Sequence, residues 1–118
     1  LEANLHPDTV KTAAPTKGAE SPSETLVAAL KMSHELRAEA LPPMKVALAW
    51  LFDVKTGAYW HNGATGGFSS YALFNPKEDY AVVVLYNTTI SAKGSFADRL
   101  GEHIAERFSG RPAIPISE

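Results

Sequence analysis

An α+β fold, an antiparallel sheet flanked by helices, is what this sequence predicts, and three observations carry it. Two segments, residues 21–40 and 95–110, space their apolar residues as helices do and open on serines that can cap them. Between them, residues 46–86 fall into runs rich in valine and aromatic residues, broken by polar turns. No helical stretch separates one run from the next, so neighbouring strands join by hairpins and run antiparallel.

Residues 1–20 show no periodicity and contain Pro7, Pro15 and Gly18, the composition of a loop or flexible arm, which leaves 21–118 as one α/β segment. Ser21-Pro22-Ser23-Glu24 offers a capping serine, a proline at the first helical position and a glutamate at the third. A helix starts there, with Leu26, Val27, Leu30 and His34 as its apolar stripe, and Pro42-Pro43 stops it by about residue 40. Residues 46–52 read as a buried strand, 53–57 as a turn and 58–61 as the second strand of a hairpin. A strand over 68–75 follows, then a polar turn at 75–79. The run at 80–86, apolar on both faces, is expected at the centre of the sheet. Ser95 caps a last helix with Phe96, Leu100, Ile104 and Phe108 on one stripe; Asp98 sits near its positive end, Arg107 is in the last turn, and Gly110 and Pro112 end it.

With 118 residues, 45% hydrophobic and 20% charged, the chain can build one domain with a small core. A net charge of -2 and scattered basic residues give no electrostatic reason to expect nucleic acid, and single aromatics in strands make no base-stacking platform. The absence of cysteine excludes disulfides and thiolate zinc sites without identifying a compartment. The longest apolar run, 46–52, is far too short to cross a bilayer. His34 lacks the second histidine of a zinc helix, and His6 and His103 have no partners at ligand spacing, so all three read as structural or surface residues and no metal is expected. Ser69-Ser70 follows a glycine, but Tyr71 stands where a nucleophile elbow needs its second glycine.

The most informative stretch is Trp60-His61-Asn62-Gly63-Ala64-Thr65-Gly66-Gly67-Phe68. Taken alone, a histidine beside a tryptophan at a strand end is a packing residue, and a glycine pair is a bend. The continuation argues otherwise. A polar triplet ending in glycine, then a small residue, a glycine pair, an aromatic and a long strand resembles the third active-site motif of the serine β-lactamase and penicillin-binding-protein superfamily, and the match runs on to Asn87. In that family the triplet is Lys-Thr-Gly or His-Thr-Gly, on a strand edging the active site. A literal Lys55-Thr56-Gly57 also occurs, but it falls at the tip of a predicted hairpin, where glycine supplies a positive φ and lysine is solvated.

The resemblance implies roles residue by residue. Gly63, without a Cβ, lets substrate lie against the strand edge, and the N–H of Ala64 forms half of an oxyanion hole. His61 takes the position of the family's lysine, where it favours a substrate carboxylate only while protonated, so that its service fades as pH rises. Asn62 replaces the usual threonine, an amide where the family has a hydroxyl that contacts a substrate carboxylate.

The family's nucleophile needs a Ser-x-x-Lys helix start and a Tyr-x-Asn or Ser-x-Asn loop, and the sequence contains neither. The chain therefore resembles the C-terminal portion of a larger class C β-lactamase-like serine hydrolase, over about residues 46–108. Such enzymes form an acyl-enzyme on β-lactams, D-amino-acid peptides or esters and need no cofactor; the isolated chain is expected to be inactive. The competing reading is a non-catalytic interaction module that keeps the sheet. An exposed strand edge and apolar face are expected to pair with the missing N-terminal portion or with a second copy. The resemblance implies an extracytoplasmic bacterial parent, whose signal would lie upstream.

Overall fold

The computed structural model describes residues 1–11 and 22–116. A six-stranded antiparallel sheet forms the body, in the order β1-β2-β3-β4-β5-β6, each strand paired with its neighbour in sequence. The strands are β1 (Ala38–Glu39), β2 (Met44–Val46), β3 (Leu51–Asp53), β4 (Ala58–Thr65), β5 (Phe68–Asn75) and β6 (Tyr80–Tyr86). Helix α2 (Pro22–Ser33) precedes the sheet and α3 (Phe96–Phe108) follows it. The α+β class is thus as the sequence predicts.

Four local readings need correction. The first twenty residues are not all loop, because Glu2–Leu5 makes one turn of helix, α1, and Pro7–Thr9 a 3-10 turn. Residues 46–52 are two strands rather than one. The chain reverses between β2 and β3, with Ala47 N–H donating to Trp50 O at 2.9 Å and Ala49 in the left-handed region at φ 64°. Helix α2 stops at Ser33, and the short β1 occupies the stretch before Pro42. Finally, among the described residues β6 pairs on one side only, with β5, so within this chain it is an edge strand rather than the central one expected. Tyr80, Val82 and Val84 are buried under α3, while Ala81, Val83 and Leu85 stay exposed. The proposed cap at Ser21 lies outside the described residues.

One face of the sheet holds the core. Ala58, Tyr71, Leu73, Tyr80, Val82 and Val84 pack there against Ala97 and Ala105 of α3, with Trp60, Tyr86, Leu100 and Ile104 around them. Helix α3 begins at Ser95, whose hydroxyl accepts from the N–H of Asp98 at 3.2 Å. Gly101 lies directly against the ring of Tyr71, where a Cβ would come within 2.2 Å of Cδ1. Only glycine lets the helix approach this closely.

On the opposite face, Tyr59 stacks on Phe74 and both meet the ring of His34, at 5.2 and 5.0 Å. His34 Nε2 lies 3.1 Å from Asn4 Oδ1, and the Tyr59 hydroxyl donates to His34 O, so this histidine ties α1 and the end of α2 to the sheet. Burial lowers its pKa below the ordinary imidazole value. At the foot of the sheet the fully buried Asn75 donates to Thr56 O at 3.0 Å and accepts from the N–H groups of Lys77 and Glu78. One side chain thereby joins the β3–β4 turn to the β5–β6 turn.

Candidate functional site

Strand β4 carries the motif, and its pairing explains why the motif is accessible. On one side it runs beside β5 for its whole length, from Tyr59↔Phe74 to Thr65↔Phe68. On the other, β3 reaches only Ala58, Tyr59 and Trp60. Among the described residues nothing pairs with the other side of 61–65, which form an open backbone edge there.

The turn fixes which groups face that edge. Gly66 and Gly67 both have positive φ, 53° and 93°, as a two-residue type I′ hairpin requires. The flanking pair Thr65↔Phe68 is then a hydrogen-bonded pair, and pairs alternate along an antiparallel ladder. His61, Gly63 and Thr65 direct their N–H and C=O toward β5. Asn62 and Ala64 direct theirs away from it, to the open edge. The Ala64 N–H that the resemblance singles out thus faces outward by the parity of the ladder.

The side chains divide between the faces. Asn62 lies opposite Tyr71 in the ladder and points to the α3 side, where its Nδ2 donates to Asp98 Oδ2 at 2.5 Å. Asp98 in turn accepts from the Ser95 hydroxyl at 2.7 Å. Among the described residues Asp98 makes no ion pair. Glu102, one turn further along α3, adds a second carboxylate; burial first and the charge of Asp98 second push its pKa above the usual carboxylate range. The same two influences, burial foremost, raise the Tyr71 phenol, with Glu102 the largest of its charged neighbours.

His61 lies on the other face, exposed, with Nδ1 2.7 Å from the backbone oxygen of Asn62. A carbonyl only accepts, so Nδ1 carries the proton and Nε2 is the free atom, an acceptor when the ring is neutral and a donor when it is cationic. Gly63 leaves its site open next to Ser70, whose Oγ would stand 3.4 Å from an added Cβ. A concavity of about 640 Å³ lies at this end of the sheet, with Gly63, Ala64, Ser70, Tyr86 and Asn87 in its wall.

The structure therefore brings His61, Asn62, Gly63 and Ala64 together on one exposed strand. Lys55, Thr56 and Gly57 sit elsewhere, in the β3–β4 turn. Asp53 accepts there from the Lys55 N–H at 2.8 Å and the Thr56 hydroxyl at 2.9 Å, and Gly57 has φ 74°. Ser69 is buried and donates to Thr88 O, and both it and Ser70 lie within β5 rather than on an elbow. His103 contacts Ile114 O at 2.6 Å, and His6 pairs with Asp79 at 3.0 Å. Among the described residues no three histidine, aspartate or glutamate side chains gather as a metal site, and no helix is long and apolar enough to cross a membrane. Sequence reasoning gave Asp98 a part only in the helix dipole. No local signal marks its contact with a residue 36 positions away.

Comparison with known proteins gives the chain a family. No curated protein matches the chain. The family model described as Beta-lactamase matches residues 10–106, which include the whole sheet and most of α3. A six-stranded antiparallel sheet, a triplet on an open strand edge and a match over most of its length together mean that the chain belongs to the Beta-lactamase family, within the serine β-lactamase and penicillin-binding-protein-like superfamily.

Proposed function

We propose that this chain supplies the substrate-binding strand and one oxyanion donor of a serine hydrolase that works through an acyl-enzyme on β-lactams, D-amino-acid peptides or esters. The open edge at residues 61–65, with the Ala64 N–H directed outward from it, is the observation that carries the reading. A donor held rigidly in a ladder needs no reorganisation when charge develops on the attacked carbonyl, and one such donor typically contributes about 2.7–4 kcal/mol to the transition state. Gly63 gives substrate access to the edge, Asn62 contacts its polar substituent, and His61 stands where the family has lysine.

An oxyanion donor without a nucleophile makes no covalent bond, and the sequence has no Ser-x-x-Lys. The isolated chain is therefore expected neither to turn over a chromogenic cephalosporin nor to be labelled by a covalent penicillin probe. Joined to a segment bearing Ser-x-x-Lys and Tyr-x-Asn, it is expected to gain both reactions. Stoichiometric labelling of the chain alone would overturn the assignment of the chemistry to another segment.

One observation favours a second reading, an interaction module that keeps the sheet without the chemistry. Among the described residues strand β6 is an edge, and Val83 and Leu85 are 56% and 80% exposed on it. Unpaired edges with apolar side chains associate. The occupant under the first reading is the nucleophile-bearing portion of the protein; under the second it is another copy. Light scattering over a concentration series separates them, since self-association at micromolar concentration favours the module and a stable monomer argues against it.

A further inference from the structure

The pairing of Asn62 with Asp98 bears on what the site accepts. We infer that Asp98 acts through Asn62 as a positioning residue, turning the site against a substrate carboxylate and toward a hydrogen-bond donor, an amide N–H or an ammonium; this rests on the reading of residues 61–64 as the substrate-binding strand.

The reasoning starts from the two ends of an amide. A carboxylate only accepts, so Asp98 Oδ2 at 2.5 Å fixes the Asn62 side chain with its NH₂ toward α3. The Ser95 hydroxyl, donating to Asp98 Oδ1 at 2.7 Å, holds the carboxylate in turn. Asn62 Oδ1 then faces away from Asp98, and it accepts no hydrogen bond among those of the described residues. Asn62 itself is exposed. A substrate carboxylate approaching this residue meets either the acceptor end of the amide or an NH₂ group already beside a negative charge. Both are unfavourable. A substrate N–H meets an oriented acceptor, and an ammonium gains the field of Asp98 and of Glu102 behind it. A hydroxyl in place of Asn62 would rotate to suit either partner; the clamped amide does not.

The test uses this chain joined to the portion that bears the serine, with two substrates of identical acyl and leaving groups, one carrying a carboxylate and the other a carboxamide at the position beside Asn62. The carboxamide is expected to have the higher kcat/KM by about tenfold at low ionic strength, and the ratio is expected to shrink as salt screens Asp98. Asp98→Asn is expected to move the ratio toward the carboxylate by about the same factor. A carboxylate preference in the wild type, or a ratio that ignores both salt and Asp98→Asn, overturns the inference while leaving the hydrolase reading intact. Hydrolysis of neither substrate overturns that reading, and the inference with it. A measurement on the isolated chain reads the clamp directly. The two Asn62 side-chain amide N–H resonances are expected to be displaced by Asp98→Ala, and resonances indifferent to that substitution would mean the clamp does not exist.

Discussion

Gly101→Ala puts the packing of α3 to a test in which the sign of the effect is the result. Alanine is the better helix former by about 1 kcal/mol, so an exposed glycine in the middle of a helix should stabilise on replacement. Gly101 is not exposed. Its added methyl would lie 2.2 Å from Tyr71 Cδ1, 2.7 Å from Cε1 and 3.0 Å from Cγ. Carbon contacts settle at about 3.5–4.0 Å, so the ring or the helix must retreat by more than about 1 Å. The ring has little room, being only 2% exposed and stacked on Trp60 at 5.9 Å. Overpacking of this kind costs about 1–3 kcal/mol or somewhat more, which outweighs the propensity gain and leaves a net loss of about 1–2 kcal/mol. In thermal unfolding that is a fall of about 5 °C or more. Denaturant titration of the four members of a cycle with Tyr71→Leu is the assay. With the ring gone, Gly101→Ala should become neutral or stabilising, a coupling of about 2 kcal/mol. A stabilised Gly101→Ala in the wild-type background would refute the close approach, and with it the reason that Asp98, one turn earlier, reaches Asn62.

Three other outcomes follow from the site and its surroundings. In the acylation-competent protein His61→Ala should lower kcat/KM far more than Lys55→Ala, because one lies on the open edge of β4 and the other in the β3–β4 turn; equal losses would move the functional triplet to Lys55-Thr56-Gly57. Burial lowers the pKa of His34 below its unfolded value, so the folded state holds the proton less tightly than the unfolded one. Its contribution to stability is full above about pH 6.5 and is lost as pH falls through the lower folded value, and His34→Phe should remove that part of the slope in unfolding measured from about pH 7 to 5. Leu85→Lys, which places a charge on the β6 edge, should abolish any self-association seen by light scattering without lowering the melting temperature; association that persists would locate the contact elsewhere.

How far the sequence was legible depended on whether a local rule and the packing agreed. The bounds of β5, β6 and α3 could be read in advance because turn residues, period and capping all pointed the same way there. Residues 46–52 misled because every one of them is apolar, and the reversal uses Ala49 at positive φ, a conformation that usually announces itself with glycine or asparagine. Strand β6 was placed at the centre because Val83 and Leu85 are as apolar as the buried Val82 and Val84, and burial that depends on what covers a face leaves no mark on the strand itself. The motif at residues 61–64 was visible as a pattern. The partnership of Asn62 with Asp98 was not, since it arises only when α3 crosses β4, and that crossing is set by Gly101 against Tyr71.

The hairpin of β4 and β5 is anchored unequally at its two ends. At its foot Asn75 binds two turns at once from a fully buried position. At its tip there are only Gly66 and Gly67, with open space where their side chains would be. Such a ribbon behaves as a cantilever, and what matters is how far along it the clamp reaches. Gly63 and Ala64 pair with Ser70 and Ser69, and Ser69 is buried and donates to Thr88 O, so β5 is still tied down opposite Ala64 and only the two glycines beyond are left to bend. Under the proposed reading, a substrate carbonyl would meet a donor that stays where it is while the oxygen moves toward it.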